Sequence, residues 1–208
     1  MKKQQDYTQD ISEIRSMMER SSKFPSLSGW AGIMAGLYAL AGSYIAQNVF
    51  HFSPDSIIYG FEDLGRASAD LQNVIVTAAI VWCLAIITAV VLTNKKAAKD
   101  GEKVWNAASR QLLFNLAVPF TAGGLFVVIL LAKGFIGLVI PMSLIFYGLA
   151  LFSAAKFTYK EAQWLGMVQI GLGLSCAAAA EYSILFWAAG FGVFHILYGI
   201  FMYFKYER

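Results

Sequence analysis

The side chains of this chain best suited to chemistry are few: His51 and His195, Cys83 and Cys176, and Ser175 in the segment GLSCA. His195 lies in GVFHILYG, inside a long apolar stretch. A polar ring in such a setting is costly unless it finds a partner. Four roles are open to it. It can make a hydrogen bond to a neighbouring helix, with Asn115, Tyr147, Gln169 and Ser175 as candidate partners. It can ligate a haem or metal. It can act as base to Ser175. It can handle protons along a solute pathway.

Depth separates these roles. His51 sits at the outer end of the first apolar block, and His195 about twelve residues into the last, roughly 15–18 Å deeper at 1.5 Å per residue. Two axial ligands of one haem cannot be so far apart. Cys83 and Cys176 lie in separate apolar blocks with no ligand spacing, so no metal and no cofactor is expected. GLSCA resembles a degraded G-x-S-x-G of the rhomboid proteases. It departs from the motif at Ala177, and the first outer loop holds no Trp-Arg pair. Ser175 should lie only about 8 Å below the outer surface against about 17 Å for His195. A nucleophile and its base must come within hydrogen-bond reach, so no catalytic residue is expected. A proton-coupled route usually carries a deep acidic residue, and here Glu181 falls at an outer end. The candidate intramembrane polar site is therefore His195, Tyr198, Asn115 and Gln169.

The elements that must position these residues follow from composition. The chain of 208 residues is 58% hydrophobic and 14% charged. A soluble domain carries nearer a quarter charged residues. The apolar residues fall in blocks of about twenty, the length that crosses ~30 Å of hydrocarbon. Six spans are read, at about 29–50, 73–93, 112–132, 135–155, 165–180 and 183–204. The fifth is the shortest. Lys133-Gly134 and Glu181-Tyr182 mark two tight hairpins. The fold class is all-α, a polytopic bundle of six transmembrane helices over residues 26–208, preceded by a separate segment at 1–25.

Lys and Arg set the orientation. Fourteen of the sixteen fall on one side, that of both termini, and only Arg66 and Lys133 on the other. Both termini are therefore expected in the cytoplasm, in the cytoplasmic membrane of a bacterium. Trp30, Trp105, Trp164, Tyr203 and Tyr206 fall at inner boundaries, where amphipathic rings settle. No apolar run precedes residue 26, so the first span should serve as an uncleaved insertion signal. The net charge of +3 is modest, and no nucleic-acid partner is expected. The lipid bilayer is the expected partner.

Tyr7, Ile11, Ile14 and Met18 share one face of a helix, Asp10 and Glu13 supply a cap-like start, and Pro25 a stop. Residues 1–25 are thus read as an amphipathic helix lying on the inner membrane face. Its alternative use is docking to a cytoplasmic protein partner or a second subunit. The first outer loop, from His51 to about Gln72, carries Asp55, Glu62, Asp63 and Asp70. Its plain reading is a solvated loop with a short helix into the second span; the sharper one is a weak cation site or a lid over an outward cavity. Gly32 and Gly36 in the first span, Gly173 in the fifth, and Gly192 and Gly199 in the sixth lie on stripes of small residues that let backbones approach. Packing within the chain is the first reading of these stripes and a homo-oligomer face the second. His195 lies on the last stripe, with Phe191, Phe194, Phe201 and Phe204 read as the lipid-facing side. IFYGLALF in the fourth span and ILYGIFMYF in the sixth hint at an internal repeat that aligns Tyr147 with Tyr198.

EIRSMMERSSKFPSLSGWAGIMAGLYAL and LFWAAGFGVFHILYGIFMYFKYER, with the chain between them, resemble a family of small bacterial membrane proteins for which no activity is established. The resemblance implies six spans and carries over no site residue. Ala31, Ala35 and Ala39 form an AxxxA pattern similar to that of the substrate-binding subunits of energy-coupling-factor vitamin transporters, where the pattern contacts the transporter scaffold. Taken together, the expected function is that of a non-enzymatic regulatory or interaction protein of the membrane. A small-solute transporter with His195 near its pathway is the alternative, and an intramembrane hydrolase a distant third.

Overall fold

A computed structural model describes residues 28–52, 64–101 and 103–208, apart from the side chains of 64–69. The amphipathic helix read at 1–25, and Asp55, Glu62 and Asp63 of the first outer loop, lie outside the described residues. The described residues form six helices and no strand. These are α1 (Gly29–Asn48), α2 (Leu64–Lys99), α3 (Ala107–Ala132), α4 (Ile136–Phe157), α5 (Glu161–Ala178) and α6 (Ala180–Tyr206). Five of them are long and apolar enough to cross a membrane, and α5 is not among those five. Its Glu161 and Gln163 in the first turn and Gln169 at mid-length hold its apolarity down.

Helix ends follow local chemistry. Asn106 and Ser109 form a reciprocal capping box at the start of α3. Gly134 turns the α3–α4 hairpin at φ +78, a conformation that favours glycine. The structure extends the second span well past its expected limits, because α2 runs on for 36 residues. Hydropathy marks the stretch that suits hydrocarbon, whereas a helix continues into water wherever its polar residues tolerate it. Residues 64–72 are helix continuous with that span, where a short helix leading into it was expected.

The chain runs up and down, and α6 is central. It packs against α1 on one side and α4 and α5 on the other; α2 lies outside α1, and α3 outside α4. The two closest crossings, α1 with α6 and α5 with α4, are built alike. A Cβ at Gly29 would sit 2.6 Å from the carbonyl oxygen of Gly199 and 2.7 Å from the amide of Tyr203. A Cβ at Gly166 would sit 2.7 Å from the carbonyl oxygen of Gly148 and 2.9 Å from the amide of Phe152. Two turns deeper, Gly36 faces the carbonyl of Gly192 and the side chain of Ile196, as Gly173 faces the carbonyl of Pro141 and the side chain of Ile145. Gly199 meets the backbone of Ile33 as Gly148 meets that of Ile170. One constant offset relates α4 to α6, and it aligns Tyr147 with Tyr198. The likeness therefore pairs α4 with α6 and α5 with α1.

The end of the bundle where α1 begins and α6 stops is basic, and it is clasped. Glu207 accepts the free first amide of α1, from Gly29 at 2.6 Å, and pairs with Lys96 of α2 at 3.2 Å. Lys96 also lies over the ring of Tyr159. Beside it, Glu161 is held by Lys205 and by the hydroxyl of Tyr206. Partial burial pushes the Glu161 carboxyl up, but the hydrogen bonds from its own backbone, Lys205 and Tyr206, with the lysine's charge, outweigh it and hold the carboxyl below the usual range. A carboxyl depressed on folding contributes stability above its unfolded value of about 4.3, and that contribution is lost as pH falls through the folded value. The melting temperature should therefore drop as pH is lowered from 5 to 3.5, and Glu161→Gln should flatten that part of the profile. An unchanged profile in the variant would show that the clasp adds nothing.

Candidate functional site

His195 begins the second α-helical part of α6, directly after a π-helical segment at Ala188–Val193. The wide turn contains Gly190 and Gly192, two poor helix formers. It carries the carbonyl of Gly190 to where two side chains reach it. Gln169 of α5 donates its Nε2–H to that oxygen at 2.7 Å, and Nδ1 of His195 lies 2.9 Å from it. A carbonyl can only accept, so Nδ1 carries the proton. In the neutral ring Nε2 is then the acceptor, and the Tyr147 hydroxyl of α4, 2.8 Å away, donates to it. Gln169 Nε2 and His195 Nδ1 are 3.5 Å apart, but both are donors: they share an acceptor and do not bond each other. The glycine at 190 is a matter of room. A Cβ there would stand 2.6 Å from Oε1 of Gln169 and 2.7 Å from Cδ2 of Leu144.

Aromatic rings close the site. His195 stacks on Tyr147 at 5.4 Å between centroids and on Phe191 at 5.9 Å. Phe120 of α3 meets Tyr147 edge-on at 6.5 Å, and Trp82 of α2 stacks on Phe120 at 6.1 Å. Phe191 is thus not on the lipid side with Phe201 and Phe204, which are exposed. It stands one turn before His195, and residues four apart share a helix face. Among the described residues, the buried polar atoms left without a partner are Oε1 of Gln169 and Nε1 of Trp187.

Of the four residues expected to make a polar site, the structure brings two together. Gln169 and His195 are both buried and converge on Gly190. Asn115 instead bonds the carbonyl of Gln111, with the hydroxyl of Ser153 at 3.5 Å, at the α3–α4 contact. Tyr198 makes no hydrogen bond to a described residue. Ser175 is exposed on α5, while both nitrogens of His195 are engaged elsewhere, so the two do not form a nucleophile and base. Tyr147, one of the four partners expected for His195, supplies the direct contact. Gly190 had none, because a π turn leaves no simple pattern. The glycines at 32, 36, 173, 192 and 199 all lie in the crossings within the chain. Ala31 and Ala39 are buried inside the bundle too, which leaves little of the AxxxA face for a scaffold.

The arrangement holds a neutral imidazole by both nitrogens, joining α5 to α6 at the Gly190 carbonyl and α4 to α6 at the ring. Among the described residues no three of His, Cys, Asp and Glu come together as a metal site would need. The chain matches no family model, no curated protein and no solved structure.

Proposed function

We propose that this chain is a protein of the bacterial cytoplasmic membrane, crossing six times with both termini inside, that works as a non-enzymatic regulatory or interaction protein. Five apolar helices support the setting, and the split of Lys and Arg supports the orientation. α5 completes the six in this reading, because its Gln169 is buried in the bundle and donates to Gly190 rather than facing lipid.

One observation carries the interaction role. No residue in the most apolar eighteen-residue stretch of α2 is buried in the bundle. Apart from the Trp82–Phe120 stack and the contacts of Lys96 with Glu207 and Tyr159, α2 leans mainly on α1. It offers a second membrane helix a long face that includes Ile80, Leu84, Ile87 and Val91, all exposed. Cys83 is an exposed reporter on that helix, and Cys176 is buried. Treating intact membranes with a bis-maleimide should therefore give a cross-linked species larger than the monomer. It should persist in Cys176→Ser and vanish in Cys83→Ser. Only singly labelled monomer, at every spacer length, would overturn the reading. The alternative of a solute route past His195 gains no support from a ring whose two nitrogens are both bonded.

A further inference from the structure

At the end of the bundle opposite the clasp lies a cavity of about 490 Å³ between the end of α1 and the α5–α6 turn. Gln47, His51, Phe52, Glu181 and Tyr182 form its polar and aromatic wall, and Ile184 and Leu185 its apolar one. Its volume suits a small ligand. Glu181 forms no ion pair or hydrogen bond with any described residue, and no described Lys or Arg lines the cavity. An anion would meet the Glu181 carboxylate there. A divalent metal would find one carboxylate and one imidazole, too few ligands to hold it. An organic cation finds a counter-charge in Glu181, aromatic rings in Phe52 and Tyr182, and polar side chains in Gln47 and His51.

The backbone supports a selected site. His51 has φ +48, the single non-glycine residue with positive φ among those described. It occupies the left-handed turn that ends α1, where the amide of Phe52 returns to the carbonyl of Ala46 at 3.0 Å. Glycine is the residue that this backbone conformation favours. A histidine kept there at a cost in strain puts its ring into the cavity wall.

We propose that this cavity recognises an ammonium group. The group can come from two sources, a free amine in the external water or the headgroup of phosphatidylethanolamine, whose acyl chain would lie along Ile184 and Leu185. The inference stands independently of what α2 binds.

The test uses the full chain in phosphatidylglycerol nanodiscs. Choline and ethanolamine are titrated against the uncharged isostere of choline, 3,3-dimethyl-1-butanol, with melting temperature as the readout. A second set of nanodiscs contains phosphatidylethanolamine. Binding of a free amine is expected to weaken at least tenfold on Glu181→Gln and several-fold on Tyr182→Leu, with the uncharged isostere at least tenfold weaker. If the free amines leave the wild type unmoved while phosphatidylethanolamine raises its melting temperature and not that of Glu181→Gln, the headgroup is the ligand. No shift from either source, equal shifts in wild type and Glu181→Gln, or equal binding of the isostere would each overturn the proposal.

Discussion

Gly199→Leu is expected to destabilise the bundle by about 3 kcal/mol or more, and Gly148→Leu by a similar amount. A Cβ alone at Gly199 would come 2.6 Å from the amide nitrogen of Ile33, and one at Gly148 would come 2.9 Å from that of Ile170. Both obstacles are backbone, which cannot rotate away as a side chain does. The helices must part, and a parted crossing forfeits its contacts along the whole seam. In lipid that loss is hard to recover, because packing rather than hydrophobic expulsion holds spans together. Gly124 and Gly171 supply the control, since a Cβ at either meets nothing within 4 Å. Leucine at those two positions should change stability by less than about 1 kcal/mol, with some gain from helix propensity. Reversible unfolding in mixed micelles would compare the four. Because the two crossings are built alike, they should fail alike. If Gly199→Leu cost no more than Gly124→Leu, the backbones would not approach as described.

These crossings also show where sequence reading stops. That Gly29, Gly32 and Gly36 share a stripe is visible at three- and four-residue spacing. So is the stripe through Gly192 and Gly199. Which stripe meets which is not visible, since any small-residue face can receive any other. The aligned YG pairs at 147–148 and 198–199 came closest, because two similar helices suggest two similar neighbours. Span positions were legible because lipid demands long apolar runs, and the Lys133-Gly134 hairpin because little else interrupts two such runs. The full length of α2 was not legible, because past the hydrocarbon edge a helix has no hydropathy signature. The cavity joins Gln47 and His51 to Glu181 and Tyr182 from distant parts of the chain, and no local pattern announces such a meeting. For His195, the glycines flanking it put it on a protein-facing stripe. Its acceptor stayed hidden, because a π turn was needed to present the carbonyl of Gly190.

The second large effect is expected at that histidine, and a mutant cycle separates a structural bond from a polar group of another use. His195→Leu removes one of two donors from the Gly190 carbonyl, which keeps Gln169, but it strands the Tyr147 hydroxyl among apolar side chains. A stranded hydroxyl of this kind costs about 1–3 kcal/mol, and imperfect filling of the space left by the ring adds to it. We expect a total near 3 kcal/mol. Tyr147→Phe should cost about 1–2 kcal/mol, for it leaves Nε2 of the imidazole without its donor. The double variant has neither stranded group, so it should be more stable than the summed single costs predict. The expected coupling is about 1–2 kcal/mol, at the upper end for hydrogen bonds between spans because both partners are enclosed. Gln169→Leu tests the same hub from the other side. It takes the second donor from Gly190, so combined with His195→Leu it should cost more than the sum, whereas the hydroxyl pair costs less. Opposite signs of coupling from two neighbours of one ring follow only if Tyr147 donates to Nε2 while Nδ1 and Gln169 share one acceptor. Purely additive costs in both cycles would mean that His195 owes its place to packing alone.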